Sequence, residues 1–179
     1  MPRIPKAKTE QTTLYIGIDP GQAGGLVALC VSAKGSEVNA VSMPDTERQV
    51  WEWIAENSPA RFAPNSYAVI EKVHSMPEQG VVSSFKFGMG YGALRMALTA
   101  ACIPFEEVDP RTWQKALGVA PRKKEETKPQ FKLRLLKLAQ QLFPSLPLWS
   151  EKRAKGKMLA VSDALLIAYY CERKHGGKL

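Results

Sequence analysis

The sequence is poor in residues that bind soft metals. It has three cysteines and two histidines in 179 residues. Cys30, Cys102 and Cys171 lie far apart, with no Cys-x-x-Cys pair, so a zinc site of the usual spacing is excluded. All three sit in apolar stretches and are expected to be reduced core residues in a cytoplasmic setting. No apolar run approaches the roughly 20 residues that a membrane helix needs. Residues 1–13 are basic but lack an apolar centre, so they do not read as a secretory signal. They are expected to form a flexible basic arm ahead of a single domain over 14–175. Internal repeats are absent. Acidic residues are in the minority: Asp plus Glu number 17 against 25 Lys plus Arg, a formal charge of +8. That balance points to a polyanionic partner, because cations release counterions when they meet phosphates.

What the chain does have is an ordinary globular share of apolar residues, 45%, arranged in short alternating runs. Strands are expected at Leu14–Ile18, Gly25–Val31, Val38–Met43, Tyr67–Val73 and Ile103–Val108, with Lys34-Gly35-Ser36 as a hairpin turn. Helices are expected at Arg48–Asn57, from Tyr91 onward to Ala101, at Pro110–Leu117, at Phe131–Phe143 and at Ala160–Glu172. The glycine- and serine-rich run Ser83–Gly92 reads as a loop, and the charged run Pro121–Pro129 as a mobile connection. This order predicts an α/β fold: one mixed five-stranded sheet with helices on both faces.

Three carboxylates stand where an apolar element should exclude them. Asp19 ends the first strand, Glu71 interrupts the fourth, and Asp163 opens the expected last helix. An ionised carboxylate on a buried element is costly unless a cation compensates it. Plainer readings exist for two of them. Asp19-Pro20-Gly21 is also good turn chemistry, and an acid at a helix start is favoured by the dipole. Glu71 has neither excuse. Three such acids on elements that can converge suggest a shared divalent cation. Oxygen-only donors fit Mg²⁺, with Mn²⁺ as a substitute. Two such ions about 4 Å apart can cut a phosphodiester.

The motifs around these acids are IGIDPG (Ile16–Gly21), VIEKVHSMP (Val69–Pro77), SSFKFGMGYG (Ser83–Gly92), VDPRTWQKALG (Val108–Gly118), LFPSL (Leu142–Leu146) and SDALLIAYY (Ser162–Tyr170). Together they resemble the RuvC-type Holliday-junction resolvases over most of the chain, nearest the phage-encoded and chloroplast branch. The resemblance implies a ribonuclease H-like fold, a homodimer and a four-way DNA junction nicked symmetrically with Mg²⁺. Asp19, Glu71 and Asp163 would be the catalytic metal ligands. No small-molecule cofactor and no membrane partner are implied. One departure matters. The family usually places another acid or a histidine three or four residues before the last acid, where this chain has Ala160 and Leu159. A junction-binding protein with impaired or no nuclease activity is therefore the alternative.

For DNA contact, the candidates are Phe85, Lys86 and Phe87 in the glycine-rich run, where a phenylalanine can stack on a base. Lys123 and Lys124 belong to a basic stretch that continues through Lys128, Lys132, Arg134 and Lys137. Lys155 and Lys157, with Lys152 and Arg153, precede Asp163. A charge run is usually only a solvated face, but this last one adjoins the expected cutting site. His74 follows Glu71 closely and is read as structural. An actin-like phosphotransferase shares the first Asp-Gly turn, but the chain is short for two ATP-gripping lobes.

Overall fold

The computed structural model describes residues 12–58, 65–73, 80–146, 155–177 and 179, without the side chains of 155–157. The arm 1–11, His74, Lys152 and Arg153 lie outside the described residues, as do the side chains of Lys155 and Lys157. Five strands form one sheet: β1 (Thr13–Asp19), β2 (Gly25–Ser32), β3 (Gly35–Ser42), β4 (Ser66–Glu71) and β5 (Phe105–Val108), in the order β3-β2-β1-β4-β5. The β1–β2 and β2–β3 pairs are antiparallel, while β1–β4 and β4–β5 are parallel. The sheet is therefore mixed, as the element order predicts.

Alternation along β1 sorts its side chains between two cores. Leu14, Ile16 and Ile18 pack with Val50 and Ile54 of α1 (Glu47–Asn57) and with Leu94, Ala97 and Leu98 of α2 (Val81–Ala100). Tyr15 faces the other way. There Val27, Leu29 and Val69 pack with Trp113 of α3 (Pro110–Ala116), Leu135 and Ala139 of α4 (Lys128–Leu142), and the apolar face of α5 (Lys155–His175). Helices thus cover both faces of the sheet.

Gly17 sets how closely α5 approaches. A Cβ there would lie 2.2 Å from the Ala164 carbonyl oxygen and the Ala168 nitrogen. The helix backbone rests directly on β1, so any side chain at 17 would push it away.

Four expectations are corrected. Ser83–Gly92 is not a loop but the first half of α2. Its glycines each cost about 1 kcal/mol relative to alanine in a helix, yet burial of Leu94 and Leu98 is worth about 1.5–3 kcal/mol apiece and anchors the helix from its far end. The last helix starts at Lys155, not Ala160, which places Asp163 inside the helix and removes the helix-start explanation for it. Cys102 is exposed rather than core, because it takes a left-handed turn (φ 55°) at the exit of α2. The 121–129 segment is tied down: Arg134 Nε and Nη2 donate to the Glu126 carboxylate at 3.1 and 2.9 Å, and Nη1 donates to the Ala120 carbonyl at 2.9 Å. Arg134 is spent holding this segment.

Candidate active site

Asp19 and Glu71 come together because their strands are parallel neighbours. In the β1–β4 register Ile18 pairs with Ile70, so Asp19 and Glu71 end adjacent strands at the same edge of the sheet. Both continue the odd-numbered face that carries Tyr15 and Val69, the face covered by α5. Carboxyl ends of parallel strands are where sheets of this kind bind ligands. Gly24 makes room for the first acid, since a Cβ there would lie 2.8 Å from Asp19 Cγ. Asp19 Oδ1 accepts from the Gly21 N–H at 3.4 Å. The same residue therefore shapes the turn and faces the site. Asp163 arrives from α5, one residue before the Ala164 carbonyl that contacts Gly17.

Asp19 and Asp163 are both buried, and a cation lies between them. The Lys132 ammonium, from the second turn of α4, bonds Asp163 Oδ2 and lies 3.5 Å from Asp19 Oδ2. Burial works against the charge on Lys132, but Asp163 and Asp19 outweigh it and hold the ammonium above the ordinary lysine range. It stays charged. Ser162 Oγ adds a contact to Asp163 Oδ1 at 3.3 Å.

Glu71 has a different partner. The indole of Trp113, itself fully buried, donates from Nε1 to Glu71 Oε2 at 2.8 Å. Burial and then the negative charge of Asp19 push the Glu71 carboxyl up to about 7, against the opposing pull of the Trp113 N–H. Glu71 thus holds a proton more readily than an exposed glutamate.

The donors are all carboxylate oxygens, the set a hard divalent cation prefers. Asp19 and Asp163 already share one cation, the ammonium, so the site suits positive charge. As they stand, no group of three His, Cys, Asp or Glu among the described residues is arranged to hold a metal ion. Ligation by all three acids requires Lys132 to give way and Glu71 to present an oxygen from its place beside Trp113. Ala160, buried one turn before Asp163, has its carbonyl 3.1 Å from where a Cβ on Gly25 would lie. Gly25 pairs with Asp19, so position 160 adjoins the same edge of the sheet.

The structure does not gather the other candidates here. Phe85, Lys86 and Phe87 lie on α2, which packs on the opposite face of the sheet from α4 and α5. Phe85 is exposed, and Phe87 is half-buried with its ring stacked at 6.4 Å on Tyr91. Neither is a core residue. Lys123 and Lys124 are exposed in the segment that leads into α4. Two residues escaped the sequence reading of the site. Lys132 was only one member of a basic run, and Trp113 only part of the VDPRTWQKALG motif. Lys132 stands three and four residues before the buried Leu135 and Leu136, a helical spacing that could have flagged it as the cation nearest a buried face.

No family model matches the chain, and no curated protein matches its sequence. Solved structures do match. The RuvC of T. thermophilus in complex with a Holliday junction substrate is 19% identical, over 93% of this chain and 97% of that one, with a TM-score of 0.56. A second Thermus thermophilus RuvC structure is 19% identical over 92% and 97%, with a TM-score of 0.53. Sheet order, the helical cover on both faces and these superpositions agree that this chain has the ribonuclease H-like fold of the RuvC structures.

Proposed function

We propose that residues 14–175 form a structure-selective endodeoxyribonuclease domain that cuts four-way DNA junctions with a divalent metal, Mg²⁺ or Mn²⁺. One observation carries this reading: Asp19 and Asp163, 8% and 5% exposed, share a cation beside Glu71 at one edge of the sheet. The positive net charge supports a DNA substrate, and one of the similar structures holds a Holliday junction.

Asp19, Glu71 and Asp163 would hold the metal, which when bound activates water and stabilises the leaving oxygen. The chain's own groups supply the rest. Lys132 offsets part of the acids' charge before DNA arrives, and its half-exposed ammonium can turn onto a phosphate oxygen, a charge-assisted contact. The Trp113 N–H, which donates to Glu71 Oε2, leaves the other Glu71 oxygen for the site.

A homodimer suits a junction with two-fold symmetry, since it places one site on each of two opposed strands. The first half of α2 supports this reading. All buried residues of α2 lie in its second half, and Phe85, Met89 and Met96 form an exposed stripe at helical spacing. Gly88 and Gly92 lie along that stripe, and a Cβ at either would meet nothing within 4 Å in one chain. Two such stripes can cross closely.

The test is a cleavage gel with four-way junction and linear duplex, in Mg²⁺, Mn²⁺ or chelator. Metal-dependent nicking of the junction, with linear duplex spared, is the expected result. Equal cutting of both would remove junction selectivity. The second reading, a junction-binding protein with weak or no cutting, is favoured by Lys132 between the acids and by Ala160. If Ala160→Asp raises the nicking rate severalfold, the missing ligand limits this site.

A further inference from the structure

Beside the carboxylates, a cavity of about 900 Å³ opens between α3, residues 119–122 and the first turns of α4. Its cations are Arg111 and Lys115 from α3, Arg122 from the connection, and Lys128 and Lys132 from α4. Among the described residues, no acidic side chain lines it. Lys132 belongs both to this cavity and to the Asp19–Asp163 pair, so the two sites are continuous. The remaining lining is Gln114 and an apolar set, Val119, Pro121 and Phe131. Arg134 lies over the Phe131 ring at 4.8 Å and is itself anchored to Glu126, which fixes that ring.

A surface that only tracks a duplex backbone needs cations and nothing apolar. This cavity pairs cations with an aromatic and aliphatic lining, and its volume lies in the roughly 300–1,000 Å³ range of pockets that enclose small molecules. Resting on the nuclease reading above, we propose that it receives an unpaired nucleotide of the strand being cut. The base lies against Phe131, Val119 and Pro121, and the flanking phosphates meet Arg111, Lys115, Arg122 and Lys128. Stacking of this kind tolerates any base, because every base has a π-face. The nucleotide is drawn from the point of strand exchange, where unpairing costs least. The cavity then favours branched over linear DNA by a physical route: a continuous duplex has no base to give up cheaply.

The test uses four-way junctions carrying 2-aminopurine at successive positions around the exchange point, bound by the full chain in chelator so that nothing is cut. Fluorescence at one or two positions should rise severalfold as the base leaves its stack. Arg111→Ala with Lys115→Ala, both exposed side chains, should abolish that rise and weaken junction binding by about tenfold, while linear duplex binding changes less. Phe131→Leu stays apolar but removes the ring, and should lower the signal with little loss of phosphate contact. A flat fluorescence response at every position, with the junction still bound in chelator and cut normally once Mg²⁺ is supplied, would overturn the pocket and leave the nuclease reading standing. Equal weakening of junction and linear duplex by the paired variant, with the fluorescence rise intact, would make this a backbone surface and overturn it too. A chain that neither binds nor cuts any junction would remove both.

Discussion

The Lys132 ammonium bonds the Asp163 carboxylate across 31 residues of sequence, and the same nitrogen reaches Asp19 across 113. A buried acid pair is thereby compensated without a metal. The cation that bridges the two acids is also the one that a divalent ion, bound as proposed, would have to displace.

Lys132→Met should therefore tighten Mn²⁺ binding by about tenfold, the ~1.4 kcal/mol expected when one competing charge is removed. Junction cleavage should fall at the same time, because the phosphate loses its ammonium partner. Calorimetry and a cleavage gel read the two effects. Unchanged metal affinity would mean that Lys132 and the metal do not compete.

Asp19→Asn and Glu71→Gln should each lower the nicking rate by at least about a hundredfold, since a carboxamide ligates a divalent ion poorly. Junction affinity in chelator should hold or rise, as repulsion with phosphate falls. A gel-shift titration alongside single-turnover cleavage separates binding from chemistry.

The raised Glu71 carboxyl makes a stability prediction with a definite sign. A group with a folded value near 7 against an ordinary 4.5 favours the fold in its protonated form. Its contribution is complete below about pH 4.5 and is lost as pH climbs through 7. Glu71→Gln should melt much like the parent at pH 4.5 in chelator, and above it at pH 8. Melting differences that stay constant across that range would contradict a buried, acid-crowded Glu71.

The exposed stripe on α2 predicts an assembly that charge should break. Phe85→Glu with Met89→Glu should convert a dimer to a folded monomer, seen by analytical ultracentrifugation with an unaltered far-UV spectrum. Gly92→Ala is the finer probe. It should stabilise the single chain by up to about 1 kcal/mol but loosen a close helix crossing. An unchanged sedimentation profile for both variants would leave α2 facing solvent.

Lys123 and Lys124 sit exposed on the approach to α4. Replacing both with alanine should weaken junction binding and reduce the slope of log affinity against log salt by about 2. An identical slope would remove them from the DNA surface.

Much of this was legible in the chain itself. The apolar runs in LYIGID and YAVIE marked two strands that Asp19 ends and Glu71 interrupts; the structure puts Ile16, Ile18, Ala68 and Ile70 on one face and both acids on the other, because side-chain direction along a strand has a period of two. An acid inside an apolar run then declared itself by its cost alone. Periodicity and burial cost are local, so they survive without coordinates. Three things were not local. Composition argued for a loop over Ser83–Gly92, and only the anchoring of Leu94 and Leu98 on the sheet made it helix. Trp113 reaches Glu71 across 42 residues, and Lys132 reaches Asp163 through the packing of α4 on α5. Of the seven cations from Arg122 to Lys137, spacing from Leu135 and Leu136 singles out Lys132 but does not say what it meets. The helix packing decided that, setting one half-exposed ammonium between two carboxylates, turning Arg134 onto Glu126 and leaving Lys123 and Lys124 exposed.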